Sequence, residues 1–172
     1  AHGNEVCILT PQLERAAAMQ QGEIAVKGPN VMREYLNNPD ATADAFAGEW
    51  LRTGDLGHID SDGYVYVTGR LKELIIKGGE NIAPREIDEV LYSEPDVIEA
   101  AAFARPCKSY GETVEAAVSV KPGSALSEKD LIALCQRRLG SFKAPENIHF
   151  LDELPKGPSG KIQRLKLAAL IR

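Results

Sequence analysis

The chain has 172 residues, an apolar share of 44% and a net charge of −5 at neutral pH. That length allows one or two domains with a real core, and the apolar share is too high for a disordered chain. The acidic balance argues against a nucleic-acid-binding surface, and no apolar run approaches the roughly 18 residues of a membrane span.

Cys7, Cys107 and Cys135 are odd in number and widely spaced, and His2, His58 and His149 are scattered. This argues against a disulfide framework or a metal site. Free thiols fit a reducing compartment, so a cytoplasmic location is expected. Basic residues gather between Arg137 and Arg172, which leaves room for a local anion site.

In chain order, Glu5 to Leu9 reads as a strand, and Thr10 to Gln21 is ambiguous between short helix and loop. Gly22 to Pro29 is a strand between glycine punctuators. Val31 to Leu36 is expected to form a short helical turn, and Asn37 to Phe46 a turn and then a short alanine-rich helix. Trp50 to Asp55 reads as a turn feeding a hairpin. In that hairpin, Gly57 to Asp60 and Tyr64 to Val67 flank Ser61-Asp62-Gly63, with Asp-Gly at the tight turn.

Gly69 to Ile87 is the stretch around which the rest is organised. Leu74-Ile75-Ile76 reads as a short buried strand. Gly78-Gly79 can take positive φ and bring backbone close to a passing group. Asn81 to Pro84 is expected to start a helix, with Pro84 at the first helical position and Ile87, Val90 and Leu91 as its apolar stripe. Taken alone, this is a solvated loop before an ordinary helix.

Ser93-Glu94-Pro95 ends that helix. Val97 to Ala104 is so uniformly apolar that a central strand is expected, followed by a loop over Arg105 to Glu112. Thr113 to Val120 alternates, with Val114, Ala116, Val118 and Val120 on one face and Thr113, Glu115, Ala117 and Ser119 on the other. Ser127, with Asp130 three residues on, caps a helix whose core side is Leu131, Leu134, Cys135 and Leu139 and which stops at Gly140. Cys135 reads as a small buried hydrophobe. Asn147 to Leu151 is a last strand, Lys156 to Gly160 a loop, and Gln163 to Ile171 a C-terminal helix. The order gives an α+β fold: a small mixed α/β domain, sheet flanked by helices, after a β-rich portion.

Three stretches in register carry a resemblance. They are Trp50-Leu51-Arg52-Thr53-Gly54-Asp55-Leu56-Gly57, the Gly69 to Ile87 stretch, and Pro155-Lys156-Gly157-Pro158-Ser159-Gly160-Lys161-Ile162. Together they resemble the adenylate-forming superfamily of acyl-CoA synthetases, luciferases and peptide-synthetase adenylation domains. The likeness runs from about Gly22 to Leu167 but covers only the C-terminal third of such an enzyme, so a fragment is expected. Residues 1–70 would be the β-rich end of the large N-terminal domain, and residues 71–172 the mobile C-terminal domain.

The resemblance also implies roles. The Asp55 carboxylate, which beside Thr53 and Gly54 suits two ribose hydroxyls, would bind the ATP ribose with Arg70 as companion. Lys72 would be the hinge of the domain rotation. Gly78 and Gly79 would line the passage for the CoA pantetheine arm. Lys161, at a loop tip of small residues, would meet the charge developing at the α-phosphorus; read from the residues alone, it is a surface lysine before a helix.

The implied activity is that of an acyl-CoA synthetase of fatty acid metabolism. A carboxylic acid and ATP would give an acyl-adenylate and pyrophosphate, and CoA would then displace AMP. ATP, Mg2+ and CoA are the implied cofactors, with the Mg2+ ligands and the acyl pocket in the missing N-terminal domain, the chain's principal partner. The fragment alone is expected to be inactive. The alternatives are a luciferase-like or peptide-synthetase adenylation domain, or a non-catalytic nucleotide- or protein-binding module.

Overall fold

Glycine turns and short alternating runs make strand the commonest regular structure of this chain. The computed structural model describes residues 3–171; Ala1, His2 and Arg172 lie outside the described residues, and with them what was read on His2 and Arg172. The chain divides into two compact units, Ala1–Lys72 and Glu73–Arg172.

In the first unit, β1 (Glu5–Leu9) pairs antiparallel with β2 (Gly22–Lys27), and β2 with the ten-residue β4 (Trp50–Ile59). The short β3 (Phe46–Ala47) and β5 (Val65–Arg70) share the far edge of β4. Trp50 to Asp55 is therefore strand rather than the expected turn. Cys7, Leu9 and Ala25 form the buried core, with Ala47 and Trp50 packed against them. Thr10 to Gln21 is loop. Val31 to Leu36 does not form the expected helical turn: the Tyr35 amide donates to Thr42 Oγ1 at 2.9 Å, so a side chain replaces a helical carbonyl as its partner. That threonine sits in α1 (Pro39–Ala45), capped by Asn38, whose Oδ1 accepts from the Ala41 amide at 3.1 Å.

In the second unit, β8 (Val97–Cys107) and β9 (Gly111–Val120) form a long antiparallel hairpin. The other edge of β9 carries β10 (Asn147–Phe150), in parallel, and β6 (Ile75–Lys77), which hairpins into β7 (Glu80–Ile82). The α2 helix (Pro84–Tyr92) and the α3 helix (Glu128–Leu139) cover one face, burying Ile87, Leu91, Leu131 and Cys135 against Val114, Ala116 and Val118. On the other face α4 (Leu167–Leu170) seats Leu167 against Ala101, Phe103 and Ala117. The capping box of α3 is present, with Ser127 and Asp130 bonded reciprocally.

Four expectations change here. The strand β8 pairs only with β9 among the described residues, so it is an edge strand and not a central one. Its apolar character comes from helices on both faces rather than from strands on both sides. It also runs on through Arg105-Pro106-Cys107, where a loop was expected, and Pro106 is tolerated because an edge strand has a side that needs no donor. Glu80 to Ile82 is strand, not helix start, so the helix begins only at Pro84. The C-terminal helix is shorter than expected: Arg164–Lys166 is a 3-10 turn and only Leu167–Leu170 is α-helical.

Candidate functional site

Strand β4 leaves its ladder at Thr53-Gly54-Asp55. Glu23 pairs with Leu56 and Ala25 with Arg52, so β2 advances two residues while β4 advances four. The bulge needs a residue at positive φ, and Gly54 supplies it at +73°. Thr53 Oγ1 donates to the Ile24 carbonyl at 2.7 Å and accepts from the Asp55 amide at 3.1 Å. Across the next ladder, Asp55 faces Arg70, and Arg70 Nε donates to Asp55 Oδ1 at 2.8 Å. The two residues expected to share a ribose are thus brought together.

Beneath the bulge lies Glu23, buried in β2. It accepts from the Gly54 amide at 3.0 Å and from Arg52 Nε at 2.9 Å. The sequence reading passed over Glu23. Its signal was a carboxylate in the apolar strand Gly22-Glu23-Ile24-Ala25-Val26.

In the second unit, Lys161 follows a narrow loop. The Gly157 amide donates to the Lys161 carbonyl at 2.9 Å, the Gly160 amide to the Gly157 carbonyl at 2.9 Å, and the Gln163 amide to the Pro155 carbonyl at 2.7 Å. Lys156, at the loop's base, pairs with Glu99 at 2.7 Å and Glu153 at 3.0 Å. Lys161 itself is exposed and forms no ion pair with any described residue, so its ammonium is available to an incoming anion.

Three residues on, Arg164 is half-buried, its side chain 14% exposed. Its Nη2 lies 2.6 Å from Asp88 Oδ2, its Nη1 3.2 Å from Asp88 Oδ1, and its Nε 3.1 Å from Glu73 Oε2; Nη1 also donates to the Ala102 carbonyl. Asp88 accepts in addition from the Ala102 amide at 2.7 Å. Burial pushes the Asp88 carboxyl up, while Arg164 and the Ala102 amide pull it down against that shift. Neither Asp88 nor this role of Arg164 was singled out from the sequence. The available signal was an aspartate beside the apolar stripe of α2.

Lys72 lies in the 3-10 turn Leu71–Glu73, the last residue of the first unit, while Glu73 opens the second. Gly78 and Gly79 form the β6–β7 turn, with φ +58° and +86°. A Cβ on Gly78 would lie 3.3 Å from Tyr110 Cδ1, whereas one on Gly79 would meet nothing within 4 Å. Beside them Lys77 is buried, 3.2 Å from Glu146 Oε1, with the rings of Tyr110 and Phe142 at 5.7 and 5.4 Å. Among the described residues no group of three or more His, Cys, Asp or Glu could hold a metal ion. No helix of the described residues is long and apolar enough to cross a membrane.

Residues 86–161 match the family profile described as the AMP-binding enzyme C-terminal domain. The sulfoacetate–CoA ligase of Cupriavidus necator is 54% identical over 149 residues, which are 86% of this chain and 29% of that protein. The amide bond synthetase from Marinactinospora thermotolerans superposes with a TM-score of 0.93 at 34% identity, over 99% of this chain and 35% of its own. The o-succinylbenzoate CoA synthetase from Bacillus subtilis, solved with its acyl-adenylate intermediate, superposes with a TM-score of 0.89 at 38% identity, over 96% of this chain and 34% of its own. The chain thus spans about a third of the length of the proteins it matches. Residues 86–161 carry the AMP-binding enzyme C-terminal domain, and nearly the whole chain is similar to the C-terminal portion of adenylate-forming enzymes.

Proposed function

We propose that the whole protein of which this chain is the C-terminal part is an ATP-dependent acid–CoA ligase. It joins a carboxylate to AMP with release of pyrophosphate, then transfers the acyl group to the CoA thiol with release of AMP. The observation that carries this reading is the 54% identity to a named CoA ligase across most of the chain. Sulfoacetate and o-succinylbenzoate, which name two of the similar proteins, each carry a second anionic group. A small acid of that kind is therefore favoured over the fatty acid that the resemblance suggested.

Within that reaction Asp55 and Arg70 hold the ATP ribose, Lys161 stabilises the negative charge that develops as the α-phosphorus is attacked, and the unit that Glu73 opens turns about Lys72 between the two steps. Gly78 and Gly79 give the CoA arm backbone without side chains. Mg2+ would accompany ATP, with ligands outside this chain.

The likeness to an amide bond synthetase supports a second reading, in which an amine replaces the CoA thiol as acceptor. Assaying the full-length protein for AMP release from ATP and a panel of dianionic acids, with CoA or with amines, separates the two. AMP release that requires CoA is the expected result, and release that requires an amine overturns it. In the same protein, Lys161→Ala lowers pyrophosphate exchange by about 10²–10³-fold. It leaves acyl transfer from preformed adenylate near the wild-type rate.

A further inference from the structure

We propose that Arg164 is a positioning residue that fastens the hinge exit and the Lys161 loop to one rigid body, so that rotation at Lys72 is delivered to Lys161 without slack. The inference rests on the roles of Lys72 and Lys161 proposed above. Glu73, the residue after Lys72, is bound to Arg164 Nε at 3.1 Å. Asp88 of α2 takes Nη1 and Nη2 in a bidentate grip, and Nη1 also reaches the Ala102 carbonyl of β8. One guanidinium therefore joins the start of the second unit, its first long helix and its longest strand.

A side chain in this place that served stability alone has no need of charge. Burying an arginine with carboxylates from two elements is an expensive way to fill space, and apolar residues commonly do it as well or better. What the charged cluster adds is direction. A planar fork accepts partners only in fixed orientations, so it fixes angle as well as distance. Lys161 is three residues upstream of that fork. The chain between them is held by the Gln163 amide on the Pro155 carbonyl, and Lys156 on Glu99 holds the loop's other limb. Without the Glu73 contact, the pivot at Lys72 lengthens by a residue and both poses of the unit broaden.

The test uses the full-length protein. Because Arg164 holds three elements at once and its replacement would disturb the fold itself, Glu73, with its side chain 30% exposed, is the primary site. Glu73→Ala is expected to keep the wild-type circular dichroism and melting temperature, and the wild-type KM for ATP. Its kcat falls by about 10-fold or more in both adenylation and acyl transfer, as misplaced reacting groups require. Glu73→Gln, which still accepts from Nε, recovers most of both rates.

Wild-type rates for Glu73→Ala in both steps, or a loss tracking only its melting temperature, overturn the proposal. So does a rise in KM alone. Lys161→Ala is measured alongside. If it is selective for adenylation while Glu73→Ala is silent, the clamp is wrong and the functional reading stands. If Lys161→Ala slows both steps equally in a folded protein, the reading on which the clamp rests fails with it.

Discussion

Asp55 and Arg70 stand opposite each other across the β4–β5 ladder, joined by a 2.8 Å hydrogen bond from Arg70 Nε to Asp55 Oδ1. Their side chains remain 32% and 62% exposed. An exposed pair of this kind contributes about 0–1 kcal/mol to stability. Its fixed geometry, at a bulge with its own buried support in Glu23, makes more sense as a binding edge. Asp55→Asn in the full-length protein is therefore expected to leave the melting temperature nearly unchanged. It raises the KM for ATP by about 10-fold or more, the worth of a hydrogen bond to a charged group. Melting curves and pyrophosphate exchange on one preparation check this. A lower melting temperature with an unchanged KM would assign the pair a structural role.

Glu115 supplies a stability prediction. Its carboxylate, buried on the α4 face of the sheet, meets Arg105 Nη2 and His149 Nε2 at 2.9 Å and Asn147 Nδ2 at 3.2 Å. Burial pushes its pKa up; the hydrogen bonds from Arg105, His149 and Asn147 and the charge of Arg105 outweigh that, and it sits below the ordinary carboxylate range. A carboxylate with a depressed folded pKa stabilises the fold above its unfolded value near 4.3 and loses that contribution as pH falls through the folded value. Arg105 also donates to the Ala168 and Ile171 carbonyls at 2.9 Å, so the C-terminal helix depends on the same group. Glu115→Gln should destabilise the chain at pH 7 by about 3 kcal/mol. Its stability should also decline less steeply with acid below about pH 4.3. Chemical denaturation of both proteins between pH 3 and 7 measures this.

Much of this frame was legible because local chemistry and tertiary demand agreed. The alternation from Thr113 to Val120, the cap at Ser127 and Asp130, and the Asp62-Gly63 turn each have one inexpensive solution, and the chain takes it. What was not legible depends on partners distant in sequence. Glu80-Asn81-Ile82 has only three residues, and it is strand because the Gly78-Gly79 turn folds it onto β6. The true length of β8 is fixed by its pairing with Thr113, Glu112 and Gly111. Glu23, Asp88 and Arg164 look like surface charges until their charged partners, 29 to 91 residues away, are brought to them.

The hinge assignment can be probed with a residue that fixes φ. Lys72 sits in a 3-10 turn, a conformation whose φ proline can adopt, while proline restricts the preceding Leu71 away from the helical region. Lys72→Pro should therefore favour one pose of the following unit over the other. In the full-length protein, adenylation and acyl transfer timed separately are expected to change by factors that differ by about 10-fold or more. Wild-type rates in both steps would remove Lys72 from the hinge.

Gly79 offers a test of the CoA passage that its neighbour does not. Both glycines have positive φ, but a Cβ on Gly78 would press on Tyr110, which is itself beside the buried Lys77, whereas Gly79 faces open space. A side chain at Gly79 thus adds bulk without disturbing the fold, provided it tolerates left-handed backbone. Asparagine does so better than other non-glycine residues. Gly79→Asn is expected to cost at most about 1–2 kcal/mol in stability, the usual cost of left-handed backbone for a residue with a side chain. It should leave pyrophosphate exchange intact. Acyl transfer to CoA should slow, with the loss appearing in the KM for CoA, because on the proposed path the pantetheine arm would meet a side chain in place of bare backbone. Transfer to a short thiol lacking the nucleotide and most of the arm should fall less than transfer to CoA. Equal kinetics with CoA in the variant and the wild type would place the CoA arm elsewhere. A parallel loss of adenylation would mean that Gly79 serves the unit's other pose.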